Sequence, residues 1–493
     1  MTIQARTAGS APQIPRRPLI WALIAATLGG GATIVHPLAG VVVVALILAA
    51  TLLSRVPIPR LGVAMTSVTA VAALAGPNLA LPQVPSVFAF RVLIVAMLIG
   101  AVGYVLMGAR IGGFGPIAIP VGLLASMALW AVFSTTWAED RMAAGRWILF
   151  LSMMGSLAVA IPIAFGDRRR AVGFLRLMGI TFAVIGAISF LEIALGVRLP
   201  TSRLAGRDLA TGATSVFGNE NNFATYLTIS LPYLLALPLV FRDVRLRALG
   251  LFGAGLALVA LLFTGSKANI LAVGIIFITL LIYFGTDRRQ RGRAVTAVVV
   301  AALSVGLVVP AMRGSGVVPL PERMVAKFDF TLLQAQVEQG TGSGAVRNSL
   351  LGDGLGLIRD SGGIGVGAGN ADVKVRSLLE FPGVANMHNW WLEVGVNLGL
   401  VGLGIYILFY LHLATRQLRI SRTSPDPLVR YLALAGATSL AGFVIGSLGP
   451  STVIHFAPMW IMFGLGMLTI RLAANTTDRP PEEAPWNTHH SSP

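Results

Sequence analysis

Long apolar runs, broken at short intervals by a few polar residues, dominate the chain. They lie near 18–36, 38–54, 61–76, 87–107, 117–137, 147–166, 173–197, 222–241, 248–264, 268–285, 294–312, 390–412, 429–447 and 454–472. Most are long enough for a helix to cross a hydrocarbon core, which takes about 20 residues. In lipid each run must satisfy its own backbone hydrogen bonds, so helices are expected. Alternating strands of a membrane barrel do not fit such continuous runs. The pattern therefore predicts an all-α polytopic membrane protein with about 14 transmembrane helices. A large extracytoplasmic loop precedes the twelfth. Residues 1–17 are polar and basic ahead of the first run, and no clear small-residue cleavage site follows, so this start reads as a retained signal anchor.

Charge orients the runs. Arg16 and Arg17 precede the first. Basic residues then follow the even-numbered runs: Arg55 and Arg60, Arg110, Arg168 to Arg170, Arg242 to Arg247, Arg288 to Arg293, and Arg416 to Arg422. The odd connections near 77–86 and 448–453 carry none. The positive-inside rule makes both termini cytoplasmic. The formal net charge of +17 is thus a topology signal, and nucleic acid is not an expected partner. Composition agrees: 55% of residues are hydrophobic and 12% charged. With no cysteine, disulfides, thiol nucleophiles and thiolate metal sites are excluded.

Three outer segments exceed a simple turn: 138–146, 198–221 and 313–389. The last balances seven Lys/Arg against seven Asp/Glu and carries "GGIGVGAGN" at 362–370. Loops this long are commonly functional, and its apolar stretches predict a partly ordered segment against the membrane. The tail 473–493 is Pro-rich and polar and reads as disordered, with His489 and His490 inert.

Candidate chemistry gathers in those outer segments. His388 stands in "MHNWWLEVGVNLGLVG". A regular helix from 388 would place it on one face with Gly395, Gly399 and Gly402. That face serves either close helix packing or a substrate. Asn389 as helix cap would instead put His388 outside the helix. Trp390 and Trp391 suit the interfacial aromatic belt. Arg347, in "VRNSLLGDGLGLI", offers a planar fork for a phosphate, or snorkels to headgroups. Lys267, in "LLFTGSKANIL", is a basic residue in a short outer turn, against the positive-inside trend. Asn219, Asn221 and Asn222 provide neutral donors, or plain helix caps. His36, His412 and His455 are isolated, and "WAED" at 137–140 is a weaker signal.

Together these segments resemble the O-antigen ligase and polymerase superfamily of bacterial envelope glycosyltransferases. His388-Asn389, nine residues, Gly399, two residues, Gly402 fits that family's histidine signature. Arg347 and Leu351 fit its Arg-x3-Leu signature. "FGNENNFATYL" looks like its Gly-Asn-x-Asn segment, and "TGSKANIL" like its Thr-x-Ser-Arg segment. There Lys267 stands where an arginine is common, keeping the charge without the fork. The resemblance implies a GT-C-like fold with the family domain over 137–472, preceded by N-terminal helices over 1–136. It implies glycan transfer on the outer face of the inner membrane, from a polyprenyl-diphosphate donor (undecaprenyl diphosphate) to a hydroxyl of a lipid or glycan acceptor. No cofactor or metal is expected. His388 would be the general base, Arg347 the diphosphate contact, and Lys267, Asn219, Asn222 and Asn389 substrate-binding residues. A repeat-unit polymerase shares this chemistry. A lipid-linked oligosaccharide flippase is the rival, but should carry ionisable residues mid-span, whereas Arg91, Arg176 and Glu192 lie near span ends.

Overall fold

The computed structural model describes residues 58–81, 84–106, 111–206, 212–285, 292, 295, 342–378, 386–450 and 453–477. The chain divides into two compact units, Met1–Ala64 and Met65–Pro493. Contacts below belong to the second. The expected runs at 18–36, 38–54 and 294–312 lie outside the described residues.

Eleven described helices are long and apolar enough to cross a membrane, and each overlies one of the remaining expected runs. They are α1 (Ile58–Ala75), α2 (Ala89–Leu106), α3 (Ala118–Phe133), α4 (Arg141–Ala164), α5 (Arg168–Leu195), α6 (Glu220–Val240), α7 (Val244–Thr264), α8 (Lys267–Gly285), α11 (Trp390–Thr423), α12 (Pro427–Gly446) and α13 (Ala457–Thr477). Two further helices, α9 (Gly342–Asp360) and α10 (Ala371–Leu378), belong to the long segment before α11. A small antiparallel hairpin, β1 (Ala80–Leu81) and β2 (Val84–Phe88), leads into α2. The chain is an all-α polytopic membrane protein.

Helix starts follow capping chemistry. Asp140, Asp167, Asn219, Asp243, Asn389 and Asp426 each accept from backbone N–H groups in the first turn. Such a cap stabilises a helix by about 1 kcal/mol. Gly196 and Gly265 end α5 and α7 in the left-handed conformation. The α7–α8 connection is only Gly265 and Ser266.

Helix α12 packs against α6, α8 and α11, while α13 packs on α4. Close approach relies on small residues: a Cβ on Gly464 would sit 2.9 Å from Ala158 O. By contrast Val92, Val95, Ile99 and Val102 on α2 stay exposed, as a lipid-facing stripe would.

Helix α11 is the exception to regularity. Its 34 residues would extend about 51 Å as one helix, well beyond a hydrocarbon core of about 30 Å. It breaks at Gly399 (φ 67°, ψ −169°). The break leaves backbone groups needing partners, and other segments supply them. Val366 N donates to Val396 O at 2.8 Å, and Leu400 N to Gly363 O at 2.8 Å. Trp130 Nε1 donates to Leu398 O at 2.7 Å. A Cβ on Gly399 would overlap the Ile364 and Gly363 carbonyl groups. Only glycine satisfies both the positive φ and this contact.

Gly399→Ala should therefore destabilise the protein by about 3 kcal/mol or more, combining left-handed strain with overpacking. Gly404→Ala, whose Cβ meets nothing within 4 Å, should leave stability equal or slightly raised. Thermal melting of the detergent-purified variants separates the two; equal midpoints would refute the role given to the break.

Candidate functional site

The segment 361–374 docks onto two partners. Toward the 134–140 connection, Ala368 N donates to Ser134 Oγ at 3.0 Å and Asp140 N to Asn370 Oδ1 at 2.7 Å. Lys374 pairs with Glu139, and Trp137 Nε1 donates to Gly365 O at 3.1 Å. The "WAED" stretch is therefore the mooring of the loop. Toward α11, Asn397 works in both directions. Its Oδ1 accepts from Ala371 N at 2.9 Å, and its Nδ2 donates to Glu393 O at 2.9 Å. It thereby ties the start of α10 to the first turns of α11.

Apolar packing completes the joint. Leu350, Ala371, Val375, Met387, Leu392 and Val396 form one buried cluster, with Val346, Leu357 and Ile358 against it. Val346 and Leu350 flank Arg347 on α9, so the cluster that fixes Leu392 and Val396 also fixes Arg347. Of the two adjacent leucines, Leu350 is fully buried and Leu351 is 43% exposed. The packing leucine is thus not the one in the Arg-x3-Leu signature.

His388 sits just outside α11. Asn389 is the cap, its Oδ1 accepting from Trp391 N at 3.1 Å and Leu392 N at 3.3 Å. The helix-face arrangement of His388 with three glycines is accordingly not found. The helix begins at Trp390, breaks at Gly399, and has its glycines closed off: a Cβ on Gly395 would meet Ile358 at 3.1 Å. The reading with Asn389 as cap is the one observed. Trp390 is not a belt residue either. Its ring is fully buried, edge-to-face on Tyr406 at 5.8 Å, and its backbone N–H reaches Ser447 O at 3.4 Å. Trp391 turns onto Tyr406 and Tyr410 and donates to Val444 O at 3.1 Å. A better match to an interfacial aromatic group is Trp130, Phe133 and Trp137, whose rings lie 5.4–5.9 Å apart.

His388 itself adopts φ +49°. Left-handed backbone at a side-chain-bearing residue costs about 1–3 kcal/mol and persists only where surrounding structure holds it. Here the Asn389 cap and the Trp390–Ser447 contact hold the following residues. The imidazole is half-buried, and its Nδ1 has no hydrogen-bond partner. Burial lowers the His388 pKa first, and the charge of Arg347 lowers it further. A hydrogen bond with the Pro450 backbone opposes this, and Arg203 adds to the lowering. The imidazole is therefore kept neutral at pH values where a free histidine begins to protonate.

Arg347 is half-buried and pairs with no described carboxylate. A desolvated guanidinium without a counter-charge is a ready anion contact. The second cation acting on His388 is Arg203, which sequence reasoning did not single out. It belongs to the 198–221 connection, pairs with Glu220, and its backbone N–H donates to Gly218 O at 2.8 Å. Buried Glu192 shapes that connection by accepting from Thr214 N, Thr214 Oγ1 and Ser215 N at 2.7–2.9 Å. The available signal was an arginine in an outer connection, against the positive-inside trend.

The other expected site residues are placed differently. Asn219 caps α6 through Asn221 N at 2.8 Å, and Asn222 lies in the first turn of that helix, half-buried. Lys267 opens α8 and is half-buried. It is not among the charges acting on His388. Its helix start is nonetheless fixed nearby: Asn269 bonds Thr225 Oγ1 and Ser266 Oγ at 3.1 and 3.0 Å, and its Nδ2 would touch a Cβ placed on Gly449, next to Pro450.

This arrangement presents a neutral, strained imidazole with one buried, unpartnered nitrogen, within the electrostatic reach of Arg347 and Arg203. It suits proton abstraction next to an anionic leaving group. Comparison with known proteins agrees. Residues 252–407, which include Lys267, Arg347 and His388, match the family model described as O-antigen ligase. Over 379 residues the chain is 24% identical to the teichuronic acid biosynthesis protein TuaE of Bacillus subtilis (strain 168), covering 73% of each chain. The match lies over the residues that build the site, and over that segment the chain is similar to the O-antigen ligase family.

Proposed function

We propose that this protein is an integral-membrane glycosyltransferase that moves a glycan from a polyprenyl-diphosphate donor to an acceptor hydroxyl, on the extracytoplasmic side of the inner membrane. The observation that carries the reading is the buried, unpartnered Nδ1 of His388 under the positive influence of Arg347. Neutral His388 takes the proton of the acceptor hydroxyl as its oxygen attacks the anomeric carbon. The bond from that carbon to the diphosphate oxygen breaks, and polyprenyl diphosphate leaves with the electron pair. Arg347 and Arg203 stabilise the charge that builds on the departing oxygens. In this reading Lys267 assists at longer range. Asn219, Asn222 and Asn389 are assigned to substrate contact, Asn219 and Asn389 while also capping helix starts with their oxygens. Direct displacement inverts the anomeric centre.

Two acceptors fit this chemistry: a lipid, as in a ligase, or the end of a growing glycan, as in a repeat-unit polymerase. The relative's printed role in teichuronic acid biosynthesis supports an envelope glycan as substrate. A flippase is less well supported, because ionisable residues such as Arg91 and Glu192 lie near the ends of their helices rather than mid-span.

His388→Ala should abolish glycan transfer while membrane levels of the protein stay normal; normal glycan product from that strain would remove His388 from the mechanism. Arg347→Lys keeps the charge and loses the bidentate fork, so kcat should fall about 10–100-fold; near-normal turnover would reduce Arg347 to a headgroup contact.

The pH dependence follows from the same geometry. Because the His388 pKa is lowered, the base stays competent below the usual histidine range, and the acid limb of kcat/KM should fall below about pH 6.5. Removing a positive neighbour raises the imidazole pKa, so Arg347→Gln should shift that limb upward. An unmoved or downward-shifted limb in the residual activity would contradict the coupling.

A further inference from the structure

Away from His388, three separate parts of the chain converge on a second polar cluster. Arg91, at the start of α2, lies with its guanidinium carbon 4.5 Å from the Phe88 ring centroid and 4.9 Å from that of Phe150. Phe150 of α4 meets His455 edge-to-face, with ring centroids 3.7 Å apart. The two rings hold the guanidinium plane by cation–π attraction, and Phe150 links it to the imidazole.

His455 is exposed. Yet the surrounding protein strips its hydration, and with the Arg91 charge as the lesser cause its pKa falls to about 4. His455 is thus reachable from solvent while neighbouring residues crowd its ring. It is neutral at physiological pH and offers one donor and one acceptor nitrogen. His455 also follows Pro450, the backbone partner of His388, by five residues. Five residues reach at most about 18 Å, a distance that a short oligosaccharide bridges.

We propose that Arg91 and His455, oriented by Phe88 and Phe150, form a subsite for an acidic sugar of the glycan whose reacting end lies at His388. Arg91 takes the sugar carboxylate through its planar fork, and His455 hydrogen-bonds a ring hydroxyl. The assignment rests on the glycosyltransferase reading for the presence of a glycan. It gives the helix α2, otherwise remote from the chemistry, a part in choosing the substrate.

The test uses the full-length protein in lipid nanodiscs. The probes are tetramers of glucuronic acid and of galacturonic acid, each compared with its carboxyl-reduced form. Wild type should bind at least one acidic tetramer about tenfold or more tightly than its reduced counterpart. Arg91→Gln should erase that preference and Arg91→Lys should keep part of it. His455→Gln should weaken both forms alike. Elution profile and melting midpoint report folding; should Arg91→Gln misfold, Arg91→Lys carries the comparison. Absence of a preference in wild type for either acid overturns the subsite, as does a preference that survives Arg91→Gln. A preference that vanishes when phosphatidylglycerol replaces phosphatidylcholine overturns it too, assigning the cluster to a lipid phosphate. Transfer activity of His388→Ala is measured separately, so the catalytic reading and the subsite can each fail alone.

Discussion

The site depends on one requirement: backbone polar groups freed by a helix break inside a membrane protein must find partners within the protein. Gly399 interrupts α11, and the freed groups draw in Gly363, Val366 and Trp130. Once the loop is bonded there, α9 and α10 cannot lie elsewhere, and the buried cluster around Leu350 and Leu392 fixes Arg347 relative to His388. The glycines at 363, 365, 367 and 369 all have positive φ. That conformation lets a loop approach a helix at backbone contact. The histidine signature and the glycine-rich stretch are thus two halves of one joint.

The fold was largely legible because the membrane imposes a simple code. Length and apolarity located all eleven described spans, and Asp or Asn at the cap marks the start of six of them. The departures have a common cause. Trp390 and Trp391 are tryptophans near a helix end, and composition assigns such residues to the interface. Here the first turns of α11 are packed into the protein as part of a core, with Trp390 buried on Tyr406. The belt-like rings are those of Trp130, Phe133 and Trp137 instead.

The site was half legible. His388 and Arg347 carry enough local pattern to be picked from sequence, and the fold brings their charges into mutual influence. Arg203 carries no such pattern. Its placement depends on a connection folded around buried Glu192, a contact between Glu192 and residues 22 and 23 positions later, which periodicity does not reveal. Asn389 shows the reverse: the residue was visible, but its side-chain oxygen serves the backbone of Trp391 and Leu392. Capping and substrate contact use the same residue types, and only geometry separates them.

The loop from α12 to α13 supplies Ser447 and Pro450 to the neighbourhood of His388, although both lie beyond residue 407, where the family match ends. During synthesis the histidine therefore emerges well before its surroundings do. His388, Arg347 and Arg203 are all made, and yet the imidazole lacks its Pro450 partner until the connection between α12 and α13 is made. A nascent chain paused after α11 holds the reactive groups in an unfinished setting. Insertion of the α12–α13 pair is in that sense the step that completes the setting of His388, so that membrane insertion and completion of the site become a single event.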